Sequence, residues 1–216
     1  MIDTIIFDLD GTLLNTLDDL SDSVNFALTS YHLPRREKAE IRRFLGNGIQ
    51  NLVAQSIPNG TTSDLFDKVF ATFKSHYEIH CYDKTRPYDG ITELLSVLQE
   101  RNYKMAIVSN KIHNVVSELN QRFFSKYIDI AIGESEGVKR KPSPDTVFSA
   151  LEKLKSKTAN TIYIGDSEVD YQTAVNANIP CISALWGFRD KDFLEQHGAH
   201  IFANTPHDLL SLLPHF

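Results

Sequence analysis

Four aspartates, a serine and a lysine are spaced along this chain in a way that could do chemistry. Asp8 and Asp10 stand one residue apart in Asp8-Leu9-Asp10-Gly11-Thr12, directly after an apolar run. Ser109 leads Asn110-Lys111, Lys141 precedes Pro142, and Asp166 and Asp170 lie in Gly165-Asp166-Ser167-Glu168-Val169-Asp170. Carboxylates are seldom buried unpaired, because taking a charge out of water is expensive. Gathered in one cleft, the four would oppose a single positive charge from Lys141. A hard divalent cation would offset two more of these charges, and Mg²⁺ is the usual partner of a few carboxylates plus substrate phosphate. Such a set suits phosphoryl transfer, in which a metal neutralises phosphate oxygens and a carboxylate can serve as nucleophile.

The elements decide whether these residues meet. Residues 2–8, 103–109, 127–132, 161–165 and 180–186 are short, rich in Ile and Val, and mostly without polar alternation. Strands covered on both faces read this way. Between them, residues 91–101, 112–124 and 144–155 carry apolar side chains at helical spacing, the last with Ser143 as N-cap and Pro144 in the first turn. The alternation predicts an α/β fold, a doubly wound, mainly parallel Rossmann-like sheet. One segment differs. Residues 17–30, 36–45, 49–56 and 63–79 all read as helix, with no strand among them. The expected organisation is therefore an α/β core of 1–15 and 83–216 carrying an all-helical insert of 16–82. Ligands of open parallel sheets bind beyond the carboxyl ends of the strands. Asp8 and Asp10, Ser109, and Asp166 all follow such ends, with Lys141 in the loop after the third strand.

Composition narrows the partners. The net charge of −6 argues against nucleic acid as a general partner, and Lys139-Arg140-Lys141 is too short to change that. No stretch approaches the roughly 18 uninterrupted apolar residues that span a bilayer, and the N-terminal stretch has no basic leader. Cys81 and Cys181, far apart in sequence, read as reduced thiols. The expectation is a cytoplasmic protein, monomer or homodimer, without a membrane partner. The eight histidines show no metal-ligand spacing.

Asp8-Leu9-Asp10-Gly11-Thr12, the strand ending in Ser109, Lys141-Pro142 and the Gly165–Asp170 stretch together resemble the four motifs of the haloacid dehalogenase superfamily, in order and over nearly the whole chain. The helical insert resembles that superfamily's cap domain. The resemblance implies a phosphatase in which Asp8 attacks phosphorus. Asp10 would protonate the leaving oxygen and then activate water. It implies Mg²⁺ held by Asp8, the backbone carbonyl of Asp10, and Asp166, with Asp170 behind them. Thr12, Ser109, Asn110 and Lys141 would bind the phosphoryl oxygens, Thr12 also supporting the loop. The acid at position 10 argues for phosphate chemistry, since members that displace halide lack it.

LDDLSDSVNFAL, FLGNGIQNLV, VSNK and WGFRD further resemble the phosphoglycolate-phosphatase-like branch, which implies a small phosphorylated metabolite as partner, 2-phosphoglycolate leading. Pyrophosphatases, nucleotidases, sugar phosphatases and β-phosphoglucomutases share the motifs. Gly46-Asn47-Gly48 and Arg43 are candidate substrate contacts from the cap, although an exposed helix face is the plainer reading of Arg42 and Arg43. Asn15-Thr16 departs from the branch's aspartate-serine, and Asn176-Ala177-Asn178-Ile179 from its small residue and glycine; Asn178 can still cap a helix in left-handed geometry. Receiver domains also combine a nucleophilic aspartate, Mg²⁺, a hydroxyl and a lysine. They are shorter, lack a helical insert and have no acid two residues after the nucleophile.

Overall fold

The computed structural model describes residues 2–215. The chain divides into two compact units, Met1–Leu14 with Pro87–Phe216, and Asn15–Arg86.

The first unit opens with β1 (Thr4–Phe7), whose four residues are all buried. A two-residue strand, β2 (Leu14–Asn15), leads into the second unit, made of α1 (Leu17–Ser30), α2 (Lys38–Phe44), α3 (Gly48–Ser56) and α4 (Ser63–His80). The chain returns through β3 (Arg86–Pro87), which pairs with β2. Then follow α5 (Ile91–Glu100), β4 (Lys104–Ile112), α6 (His113–Phe123), β5 (Ile130–Glu134), α7 (Asp145–Leu154), β6 (Thr161–Gly165), α8 (Glu168–Ala177), β7 (Cys181–Ala184), α9 (Lys191–Gln196), β8 (Phe202–Ala203) and α10 (Leu209–Leu212).

Six strands form one sheet in the order β5-β4-β1-β6-β7-β8. Every pairing is parallel. This is the doubly wound α/β order in which the chain builds outward from β1 on one side, then crosses back to build on the other. Helices cover both faces of such a sheet, which is why its strands carry no polar alternation. One apolar cluster joins Ile6, Val108 and Tyr163 of the sheet to Val147 and Leu151 of α7 and Ala174 of α8.

The helical unit has a core of its own, in which Leu20, Val24 and Leu28 of α1 and Val69, Phe73 and Tyr77 of α4 are buried. Its C-terminal end is tied back by Asp19, whose buried carboxylate accepts the backbone N–H groups of Lys84 and Thr85 at 3.0 and 2.8 Å.

Three local expectations change. The helix expected from residue 144 starts at Asp145 with Pro144 as N-cap, and the Ser143 hydroxyl donates to the Asp145 carboxylate (2.6 Å) instead of capping. The strand expected over 103–109 continues to Ile112 through an irregularity in its pairing with β5. The strand expected over 127–132 begins only at Ile130, because Tyr127 and Ile128 close a turn on the Phe124 carbonyl. Asn178 does adopt the left-handed cap, with φ 55° and ψ 47°, and neither cysteine is in a disulfide.

Candidate active site

The register of the sheet places the site. Phe7 of β1 is opposite Ile107 of β4 and Ile164 of β6. Asp8, Ser109 and Asp166 therefore stand at the same edge of the sheet, one or two residues beyond this row, Ser109 still within β4. The edge between β1 and β6 is also the point where strand order reverses, the place where open α/β sheets form their crevice.

Oxygens of Asp8, Asp166 and Asp170 all lie within 4.8 Å of one another, and all three residues are buried. Lys141 is drawn into them. Its ammonium donates to Asp8 Oδ1 at 2.6 Å, to Asp170 Oδ1 at 2.6 Å and to the Tyr163 hydroxyl at 3.1 Å. An ammonium has three N–H groups, and these contacts occupy them. Asp170 is fully engaged too. Its Oδ1 also accepts the Tyr163 hydroxyl at 2.9 Å, and its Oδ2 accepts the backbone N–H (3.1 Å) and hydroxyl (2.6 Å) of Ser167 in a capping box at the start of α8. Asp166 accepts the Phe188 N–H at 2.6 Å and the Thr12 hydroxyl at 3.2 Å.

Glycines make room for this cluster. A Cβ on Gly11, which has φ +90°, would lie 2.3 Å from Asp166 Oδ2. One on Gly187 would lie 2.3 Å from the Asp166 Cβ. A side chain at either position would have to displace the carboxylate.

The electrostatics call for a cation. Burial, then the charge of Asp170, pushes the Asp8 carboxyl well above its ordinary range despite Lys141 at hydrogen-bond distance. Burial and Asp170 likewise push Asp166 up to about 7. Burial alone would lower Lys141, yet Asp170 and Asp8 hold it above the usual lysine range. Three carboxylates and one ammonium leave two negative charges uncompensated, the charge of one divalent cation. An all-oxygen, hard donor set is also the kind that such cations choose. The residues thus fit a divalent metal.

A sequence model of the haloacid dehalogenase-like hydrolases matches residues 5–184, spanning every motif of this site. The chain belongs to that family. Over 88% of its length the hydrolase is 29% identical to a phosphoglycolate phosphatase from Mesorhizobium japonicum, covering 86% of that protein. It is 24% identical to pyrophosphatase PpaX from Halalkalibacterium halodurans, covering 98% of this chain and 97% of that one. Among solved structures, a Lactobacillus delbrueckii subsp. bulgaricus protein provisionally assigned as a phosphoglycolate phosphatase superposes with a TM-score of 0.92 at 33% identity, covering 98% of each chain. The hydrolase is accordingly a phosphoglycolate-phosphatase-like phosphoric monoester hydrolase.

Its sequence-expected residues fall into three groups. Asp8, Asp166, Asp170 and Lys141 are brought together. Asp10 stands apart from that cluster, its carboxylate paired with Lys111 at 2.9 Å. Ser109 is buried, its Oγ accepting the Lys111 N–H at 3.2 Å. Asn110, expected on phosphate, uses its amide to clamp the Lys141 backbone, donating to the carbonyl (3.0 Å) and accepting the N–H (2.7 Å). Thr12, also expected there, is wholly buried and gives its hydroxyl to Asp166. Arg43 and Gly46-Asn47-Gly48 lie in the helical unit, at the end of α2 and its link to α3. Arg43 and Asn47 are exposed there, and Asn47 is the N-cap of α3.

Sequence reasoning passed over Tyr163, Lys111, Gly187 and Trp186. Tyr163 looks like one more apolar position in TIYIG. Gly187 and Trp186 belong to the WGFRD stretch, whose resemblance carries no role for either; the Trp186 indole N–H donates to the Thr12 carbonyl at 2.9 Å. Lys111 was visible in Ser109-Asn110-Lys111, but nothing in that run showed that it meets Asp10.

Proposed function

We propose that this hydrolase cleaves a small phosphate monoester, with 2-phosphoglycolate the leading candidate, through an aspartyl-phosphate on Asp8 and with Mg²⁺ as cofactor. The observation that carries the reading is the buried triad of Asp8, Asp166 and Asp170 around Lys141 at the reversal point of the sheet. Relatives named phosphoglycolate phosphatase support the substrate. A relative named as a pyrophosphatase points to a neighbouring possibility, pyrophosphate.

Asp8 and Asp166, with the Asp10 carbonyl, would hold the metal; Asp170, whose two oxygens already accept four donors, would stand behind them. Bound there, Mg²⁺ supplies positive charge for the phosphoryl oxygens. Asp8 Oδ attacks phosphorus, the bond from phosphorus to the ester oxygen breaks, and Asp10 gives its proton to that oxygen. Water then attacks the aspartyl-phosphate, Asp10 takes a proton from it, and the bond to Asp8 breaks. One water is consumed, the alcohol and phosphate are released, and both aspartates return to their starting states. Acid–base help of this kind contributes about 10²–10⁴-fold. Ser109 and Lys141 would hold phosphoryl oxygens, so Lys141 exchanges its bond with Asp8 for one to the substrate as Asp8 attacks.

We assign the helical unit the part of a cap, with Arg43 and the Gly46-Asn47-Gly48 link as its substrate contacts. Lids of this type exclude bulk water during turnover. A reducing cytoplasm suits two buried cysteines that form no disulfide, and none of the helices among the described residues is long and apolar enough to cross a membrane.

The test is phosphate release from 2-phosphoglycolate, pyrophosphate, hexose phosphates and nucleotides, with Mg²⁺ and with EDTA, using Asp8→Asn as the blank. Mg²⁺-dependent release that disappears in Asp8→Asn supports the reading. Release that survives in Asp8→Asn refutes Asp8 as nucleophile.

A further inference from the structure

The site holds two buried lysines, and only one is accounted for by the cluster around Asp8. Lys111 lies on the far stretch of β4, within the irregularity in its pairing with β5 between Val108 and Ile112. The backbone of that stretch runs so close to β5 that a Cβ on Gly133 would lie 2.5 Å from the Lys111 carbonyl oxygen. The side chain is 3% exposed, and its ammonium is 2.9 Å from Asp10 Oδ1, on a carboxyl side chain that is itself 20% exposed. Burying an ammonium is costly, so a lysine kept in such a place needs anionic company. Lys141 has its three donors committed to Asp8, Asp170 and Tyr163. Lys111 is paired instead with the one acid in the site that belongs to the leaving group.

We infer that Lys111 is a specificity-determining residue that receives an anionic group carried by the leaving part of the substrate. The inference rests on the reading of Asp10 as the acid that protonates the leaving oxygen. Under that reading Asp10 touches this oxygen in the transition state, so Lys111, in contact with Asp10, lies beside whatever the oxygen bears. In 2-phosphoglycolate that is a carboxylate one methylene away. In pyrophosphate it is the second phosphate itself. A neutral alcohol offers Lys111 nothing. The site therefore selects phosphates whose leaving group is itself an anion, and it makes the selection within the α/β unit, next to the reacting atoms.

A purely structural Lys111, present only to balance Asp10, would serve all substrates alike. The two roles separate in a comparison of 2-phosphoglycolate with its methyl ester. The ester is the better leaving group chemically, so an enzyme preference for the free acid reports recognition of its charge. The wild type is expected to show kcat/KM for the acid at least about tenfold above the ester, as a desolvated charge contact allows. Lys111→Met is expected to collapse that ratio at least about tenfold, mainly through KM. An unchanged ratio overturns the inference while leaving the phosphatase reading intact.

Calorimetry covers the case in which turnover is lost. In Mg²⁺, Asp8→Asn should bind 2-phosphoglycolate at least about tenfold more tightly than the double variant Asp8→Asn with Lys111→Met. Equal affinities overturn the inference. Absence of phosphate release by the wild type from every substrate counts against the phosphatase reading instead, and the calorimetric comparison still decides Lys111.

Discussion

The Lys141 ammonium lies 2.6 Å from the Asp8 carboxylate, with both side chains buried, and the same ammonium lies 2.6 Å from Asp170. A single cation thus ties the end of β1 to the start of α8, and its own backbone is clamped by Asn110 of β4. Removing one partner of a buried ion pair leaves the other charge without compensation, which costs about 3–5 kcal/mol.

Lys141→Met should therefore lose activity and stability together. The expected result is a fall of about 3–5 kcal/mol in unfolding free energy by urea titration, with phosphate release at least about a hundredfold lower. A variant as stable as the wild type would show that the carboxylates find another neutral state without Lys141.

The metal-free site should be sensitive to pH in a defined direction. Burial and Asp170 raise Asp166 from 3.8 to about 7, and burial and Asp170 raise Asp8 as well. A carboxyl whose pKa is higher folded than unfolded binds more protons in the folded state, so its contribution is complete below about pH 4 and falls as pH rises through about 7. A divalent cation needs the ionised carboxylates and displaces those protons. The rise in melting temperature on adding Mg²⁺ should thus be small at pH 5.5 and grow towards pH 8. An increment that is flat across this range would mean that the cation does not bind through Asp8 and Asp166.

Much of this arrangement was legible in the sequence because the strands are covered on both faces. Runs such as TIIF and TIYIG carry no alternation to misread, and the acids stand out where those runs stop. Other parts were hidden for physical reasons. Lys111 is turned towards Asp10 by a β4 strand that continues to Ile112 with an irregularity, and irregular pairing depends on β5, not on local residue type. Asn110 grips Lys141 from 31 positions away, a pairing made by the fold alone. Tyr163 is apolar by position and polar only at its tip, so within a buried strand its hydroxyl gave no signal. Ser143 does not cap because Pro144 takes the N-cap position and leaves it one residue outside the helix, where its hydroxyl donates to the Asp145 carboxylate.

Gly187 should be intolerant of even one methyl group. A Cβ there would meet the Asp166 Cβ at 2.3 Å, Asp166 Oδ2 at 2.4 Å and the Gly11 carbonyl at 2.4 Å. Neither the carboxylate nor the backbone can give way without breaking the Phe188–Asp166 hydrogen bond. Gly187→Ala is expected to raise the Mg²⁺ concentration needed for half-maximal activity by at least about tenfold, in line with the sensitivity of metal sites to the groups that orient their ligands. An unaltered Mg²⁺ titration would place Asp166 outside the metal's ligands.

The helical unit supplies a control that touches none of this chemistry. The Asp19 carboxylate is 2% exposed and accepts the backbone N–H groups of Lys84 and Thr85, closing the C-terminal end of the unit onto α1. In Asp19→Ala both donors lose their acceptor, and a buried donor left unpaired costs about 1–3 kcal/mol. Urea titration should show a loss of about 1–3 kcal/mol, set by the buried Thr85 donor, since Lys84 is exposed. The Mg²⁺ dependence of the folded fraction should stay as in the wild type, because Asp8 and Asp166, the ligands proposed for the metal, lie in the α/β unit. A shifted Mg²⁺ dependence with unchanged stability would reverse the assignment and make Asp19 part of the functional site.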